Sequence, residues 1–260
     1  MMTDRMLELQ GGVNMRELGG YQTIDGKKVK YHKLLRSGNL NELTDADLAY
    51  LEQYGLRIDV DLRSPSESEY YADRYPEAAA YVNLPVYPFS RNLFKNLGIV
   101  NYMKMHLDEN NYADQSYVQM LVDKHALGTF RKLFDLLLAN EKPNQGLVFH
   151  CSAGKDRTGV AAFLILSALQ VKPDQILQDY LLTNLYFQGN SAAQINQLVT
   201  HDERNALADK LNANLAVSAE NFAILHKTCT TVADSMEGYF AKYLQLDQKQ
   251  LAKLREIYLE

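Results

Sequence analysis

The stretch that decides the fold is Leu147-Val148-Phe149-His150-Cys151-Ser152-Ala153-Gly154-Lys155-Asp156-Arg157-Thr158-Gly159-Val160-Ala161-Ala162-Phe163-Leu164-Ile165-Leu166. It opens on a short apolar run and closes on a longer one. The first is read as a strand ending at His150. The second, apolar all round, is read as a buried helix starting near Arg157. The loop between them holds one thiol and one guanidinium. A loop at a helix N-terminus has free backbone N–H groups and a partial positive charge, which suits a bound phosphate.

The side chains extend that reading. A thiol reacts as its thiolate, and nearby cations with a helix N-terminus lower its pKa from about 8.5 to roughly 3.5–7.5. Arg157, Lys155 and His150 supply positive charge around Cys151. The planar fork of Arg157 suits two phosphate oxygens at once. Ser152, Ala153, Gly154, Lys155, Asp156 and Arg157 together would line the phosphate. Gly154 and Gly159 permit tight turns, and the Thr158 hydroxyl would ease departure of the sulfur. Attack by Cys151 on phosphorus would give a phosphocysteine for water to hydrolyse. A buried structural cysteine fits less well, because Lys-Asp-Arg in succession does not suit a buried loop. A nucleotide-binding loop fits poorly, since Asp156 stands where Ser or Thr must follow Gly-Lys.

The loop resembles the His-Cys-x5-Arg-Thr signature of cysteine-dependent protein tyrosine phosphatases. Its interior, Ala153-Gly154-Lys155-Asp156-Arg157-Thr158-Gly159, is similar to the atypical bacterial members that also act on phosphoinositides. Asn14-Met15-Arg16-Glu17-Leu18-Gly19-Gly20, Leu35-Arg36-Ser37-Gly38, Asp61-Leu62-Arg63-Ser64 and Asp179-Tyr180-Leu181-Leu182-Thr183-Asn184 carry the same resemblance. The resemblance implies Cys151 as nucleophile and Arg157 as phosphate clamp. It places the general acid inside the loop, at Asp156. The chain has no Trp, so the usual Trp-Pro-Asp acid loop is absent, and its Pro173-Asp174 pair follows the phosphate loop. Asp61, at the end of a strand, is the second candidate acid. Its plainer role is to pair with Arg63 or Arg36. Lys155 adds a second cation that would favour phosphoinositides, unless it merely meets a nearby carboxylate.

Composition narrows the classes. A chain of 260 residues with 47% hydrophobic content is expected to fold as one domain over residues 1–260. A net charge of −5 argues against a nucleic-acid binder. Two cysteines do not make a disulfide framework and fit a reducing compartment. No cysteine–histidine cluster has metal-ligand spacing, so neither metal nor cofactor is expected. The start lacks an apolar signal core. Val160–Leu169, broken by Ser167, is about half the ~20 residues of a membrane span. A cytoplasmic location is expected, with non-standard export and oligomeric state left open.

Along the chain, Asp25-Gly26 marks a turn. Thr44–Tyr54 is a helix capped by Thr44 and Asp47 and closed by Gly55. Arg57–Leu62 and Ala80–Pro85 are strands. Asp114–Asn140 has helical spacing, with a break expected at Gly128. Asp247 and Gln250 cap a last helix with Leu251, Leu254, Ile257 and Tyr258 on one face. Residues 88–112 are irregular and read as a lid insertion or as two short helices on the core. Lys28, Lys30 and His32 are placed on one strand face, either protecting a sheet edge or docking an anion.

The expected fold is α/β: a small, mainly parallel sheet flanked by helices, with a helical C-terminal part. The expected function is hydrolysis of phosphotyrosine, extending to phosphoserine, phosphothreonine and phosphoinositides, so the partner is a phosphorylated protein or lipid. The alternatives are a non-catalytic phosphate-binding module and a sulfur transferase using the cysteine loop.

Overall fold

The structure is a computed structural model that describes residues 5–107, 111–200 and 217–260. Its centre is the sheet predicted around His150. Among the described residues, five strands run in the order β1-β2-β5-β3-β4. β2 (Leu34–Ser37), β5 (Gly146–His150), β3 (Leu56–Asp61) and β4 (Ala80–Asn83) are parallel, and β1 (Arg16–Glu17) is antiparallel beside β2. Parallel strands are covered on both faces, which is why β5 reads as an unbroken apolar run. Alternation still assigns the faces. Leu147 and Phe149 enter the main core, whereas Val148 joins a smaller cluster with Leu35, Leu51 and Leu56.

That smaller cluster lies under α1 (Asp45–Tyr54). Thr44 and Asp47 form the expected capping box, and Gly55 closes the helix at φ 99°. The larger core is covered by α5 (Lys124–Ala139), α6 (Arg157–Ala168) and α7 (Pro173–Phe187). α6 is buried almost throughout, as its sequence demands. Among the described residues the remaining helices are α2 (Pro65–Tyr70), α3 (Leu93–Met105), α4 (Tyr112–Val122), α8 (Ala192–Thr200), α9 (Ala219–Ala233), α10 (Met236–Lys242) and α11 (Gln248–Tyr258). The last carries the predicted Asp247–Gln250 capping box. The C-terminal part is helical, as expected. Among the described residues, no helix is long and apolar enough to cross a membrane.

Register places the site. Ser37 and Asp61 are both paired with His150, and Asn83 is paired with Asp61. Four parallel strands thus end together, and their carboxyl edge is where α/β sheets gather ligands.

Two expectations are corrected. The helix expected over 114–140 breaks at Asp123, while Gly128 lies inside α5. Asp123 caps α5 through His125 N–H, and its other oxygen accepts from Ser90 and Asn96. A long-range polar anchor therefore outweighs the modest helix penalty of one glycine. The basic run is no strand with a cationic face. Lys28 and Val29 make isolated bridges to Gln22 and Leu259. Lys30 Nζ donates to the Glu256 and Ile257 carbonyls, and Lys33 Nζ to those of Asn140 and Lys142. These lysines satisfy carbonyls at helix C-termini. Of the two readings of residues 88–112, the structure has short helical stretches on both sides of Gly98, which is non-helical at φ 72°, with Leu93 and Tyr102 packed on the core.

Candidate active site

Cys151 leaves the end of β5 and is 2% exposed. The chain then turns through Gly154, at φ 69°. A Cβ there would lie 2.5 Å from Gly38 N and 2.6 Å from the Ser37 carbonyl oxygen, so only glycine fits. The loop's carbonyls are held from outside. That of His150 accepts from Leu62 N–H at 2.9 Å, and that of Ser152 from Asn39 N–H at 2.9 Å. Gly154 O accepts from Arg36 Nη2 at 2.8 Å and Asn14 Nδ2 at 3.2 Å, and the Asn14 amide also reaches Ala153 O at 3.5 Å. α6 starts at Arg157 with no side-chain cap and no acid in its first turn, which leaves its N–H groups open to an anion.

Arg157 faces a carboxylate that the sequence reading did not find. Its Nη1 and Nη2 each donate to Glu67 at 2.8 Å, and Ser152 Oγ donates to the same group at 2.7 Å. Glu67 also caps α2 by accepting from Ser64 N–H at 2.9 Å. The Arg157 fork holds the Glu67 carboxyl well below its ordinary range, against a smaller opposing effect of burial. Burial alone would lower the Arg157 pKa; Glu67 and Cys151 raise it instead. The Tyr87 ring lies beside the guanidinium, 5.0 Å from its centroid.

Asp156 is held by hydroxyls. Tyr117 Oη donates to its Oδ1 at 2.6 Å, and the Tyr117 and Tyr180 hydroxyls lie 2.7 Å apart. Burial, reinforced by Tyr180 and Asp156, pushes the Tyr117 hydroxyl far up, so it remains a donor. Lys155 Nζ is 3.8 Å from the other Asp156 oxygen, a half-exposed contact that meets the plainer expectation for this lysine.

Behind the loop lies a buried arginine pair. Arg16 Nε and Arg36 Nη1 contact the two oxygens of Asp179 at 2.9 Å and 2.5 Å. Burial would raise the Asp179 pKa, but the two arginines lower it to about 2. Burial and Arg36 bring Arg16 down to about 10 despite Asp179. Two cations sharing one anion leave the region behind the loop positive.

His150 is buried below the sheet edge. Its Nε2 is 3.2 Å from both Asp59 Oδ1 and Asp73 Oδ2. Burial would lower its pKa, yet Asp59 and Asp73 raise it well above the ordinary value. Its Nδ1 lies 3.3 Å from the Cys151 carbonyl. That contact lets His150 position the cysteine. Asp59, Asp73 and His150 have ligand atoms within 4.8 Å of one another. Burial also raises the Asp59 carboxyl above its ordinary range.

Asp61 is occupied elsewhere. Its oxygens accept from Arg63 Nε at 2.9 Å, Arg63 Nη2 at 2.8 Å, Ser68 Oγ at 2.6 Å and Tyr81 Oη at 3.0 Å. Burial raises its pKa, but Arg63, His150 and Ser68 outweigh this and hold it low. Asp61 is therefore the structural partner of Arg63. The Thr158 hydroxyl donates to Ser37 O at 3.3 Å, tying α6 to β2.

Glu67, Tyr87, Tyr117 and Asp179 are the residues that sequence reasoning left without a role. Ser64-Pro65-Ser66-Glu67 did carry a signal, a capping box directly after a strand end. Nothing local marks Tyr117 as a partner of Asp156.

The chain matches the Tyrosine phosphatase family over residues 7–260. It is 34% identical over 184 residues to a Cupriavidus necator protein assigned as a tyrosine-protein phosphatase, covering 71% of this chain and 63% of that one. It is 28% identical over 155 residues to a tyrosine-protein phosphatase of Nostoc commune, covering 60% of this chain and 49% of the other. With the triple specificity protein phosphatase PtpB of Mycobacterium tuberculosis it shares 25% identity over 264 residues, 89% of this chain and 91% of that protein. The chain thus spans about half to two thirds of the first two relatives and nearly all of the third. With its cysteine loop at the carboxyl edge of a mainly parallel sheet, the chain belongs to the tyrosine phosphatase family.

Proposed function

We propose that this protein is a cysteine-dependent phosphomonoester hydrolase acting on phosphotyrosine. The observation that carries the reading is the seating of the Cys151 thiol and the Arg157 fork in one loop at the uncapped N-terminus of α6. The Cys151 thiolate attacks phosphorus, an S–P bond forms, and the P–O bond to the alcohol breaks. The leaving oxygen takes the Asp156 proton. Water then attacks the phosphocysteine, gives Asp156 its proton, and releases inorganic phosphate and the thiolate. Arg157 complements the equatorial oxygens throughout. Glu67 spans both terminal nitrogens of that fork, so substrate phosphate takes at least one of them from Glu67.

Phosphoinositides are the finer reading. Lys155 is half exposed at the loop, and its long 3.8 Å contact with Asp156 is readily exchanged for a second phosphate. The name of the mycobacterial relative, which records triple specificity, is compatible with a broad substrate range.

The test is phosphate release across phosphotyrosine, phosphoserine and phosphothreonine peptides and phosphoinositides, with thiosulfate sulfurtransfer run in parallel. Cys151→Ser should retain binding and lose turnover. Arg157→Lys should lose about 10²- to 10³-fold, because a point charge cannot replace a bidentate fork. Sulfurtransfer without phosphate release would overturn the proposal. Lys155→Ala should lose more kcat/KM on a phosphoinositide than on a phosphotyrosine peptide; equal losses would remove the lipid reading alone.

A further inference from the structure

The outer face of α3 carries a patch that the catalytic site does not use. Leu97 and Met105 are buried, and Leu93 and Tyr102 pack against the core. Phe94, Ile99, Val100 and Met103 point the other way and are 49%, 62%, 61% and 67% exposed. Ile99, Val100 and Met103 fall on one side of the second half of the helix, with Lys104 beside them. The Phe94 ring meets that of Tyr102 edge-on at 5.4 Å, which joins the two halves across Gly98. Four exposed bulky apolar side chains gathered within ten residues of a folded chain mark a contact site.

The segment is not loosely attached. Asp123 accepts from Ser90 and Asn96 at its start, and Lys227 Nζ donates to the Met105 carbonyl at its end, 2.6 Å away. Its inner side is anchored and its outer side bare.

Charge identifies the partner. Between Ala78 and Leu107 the sequence has no Asp or Glu, and it has Arg91, Lys95 and Lys104. Acidic residues resume at Asp108, in a chain of net charge −5. Arg91, Lys95 and Lys104 are all exposed. Bulky apolar groups flanked by cations on one helix face fit the boundary between acyl chains and anionic headgroups. A partner protein surface would meet the apolar residues equally well but gives no reason for thirty residues without an acid. The same segment leads back to Tyr87, whose ring lies beside Arg157. Whatever holds α3 therefore lies on the chain segment that adjoins the phosphate loop.

We propose that the outer face of α3 docks the protein onto an anionic phospholipid bilayer, with Phe94, Ile99, Val100 and Met103 inserted and Lys95 and Lys104 on the headgroups. Docking of this kind is independent of which phosphomonoester is hydrolysed.

The test is flotation of the full chain with vesicles free of phosphoinositide, made either of phosphatidylcholine alone or with a minority of phosphatidylserine. The protein should float with the second only, and added salt should release it. Lys95→Ala and Lys104→Ala should each weaken partition about fivefold. Ile99→Asp with Met103→Asp should abolish it with Tm unchanged, since both side chains are exposed. Three results would each overturn the proposal: no flotation with phosphatidylserine, undiminished flotation of the Ile99→Asp, Met103→Asp pair, or a wild-type dimer that this pair dissolves, showing that a second copy covers the face.

Discussion

The two cysteines are buried to nearly the same extent, Cys151 at 2% and Cys229 at 0%, yet their surroundings are opposite. Cys229 lies inside α9, and burial pushes its thiol well above the ordinary range. Cys151 sits at a helix N-terminus, before Arg157 and in front of an arginine pair that shares a single aspartate. Burial by itself therefore says little about a thiol. What separates the two is the orientation of peptide dipoles and the sign of the charge packed around them.

The largest expected effect breaks the comparison directly. Cys151→Ser should lower turnover by at least about 10⁴-fold, whereas Cys229→Ser should keep wild-type kcat and lose about 1–3 kcal/mol of stability to a buried hydroxyl. Peroxide should inactivate the wild type and Cys229→Ser alike, and a thiol reductant should restore both. If Cys229→Ser is not restored, the helix thiol is a redox partner and the contrast fails.

The second effect tests the arginine pair. Asp179→Asn leaves two buried guanidinium groups without their counter-charge and should cost about 3–5 kcal/mol, read by urea unfolding. The pH dependence has a definite sign. Asp179 is depressed from 3.8 to about 2, so its contribution is complete above the unfolded value and disappears as pH falls between those two. Acid unfolding of the wild type should therefore steepen in that window, and the variant should lack the step.

Smaller effects sharpen the reading of the reactive side. Asp156→Asn should slow an alkyl phosphate about 10²-fold and spare an activated aryl phosphate, whose leaving group needs little proton donation. Tyr117→Phe should show the same selectivity at about tenfold, because it removes one donor that orients Asp156. If Tyr117→Phe slows both substrates equally, the tyrosine supports the fold rather than the acid.

The cysteine loop was legible because its strand, nucleophile, fork and helix are consecutive, and local chemistry suffices to read them. The strand ends and the capped helices α1 and α11 were legible for the same reason. Glu67 was not, because its partner Arg157 lies ninety positions away and only the folded sheet brings the two together. Asp123 escaped for a similar reason: its capping role is local, but its anchors at Ser90 and Asn96 are not. The basic run misled because alternating lysines suggest a strand face, while Lys30 and Lys33 in fact reach the C-terminal carbonyls of distant helices. Asp61 shows the limit of position as evidence: it stands at the right edge of the sheet, but Arg63 and Ser68 already occupy it.

The carbonyls from His150 to Gly154 are each gripped from behind, by Leu62, His150, Asn39, Asn14 and Arg36. In a trans peptide the N–H points opposite to the C=O. Fixing one row outward thus aims the other inward, and the loop is a ready-made nest for an oxyanion. Peptide groups carry no titratable proton. Capture of a tetrahedral anion such as sulfate should therefore outlast the loss of the thiol, long after catalysis has stopped.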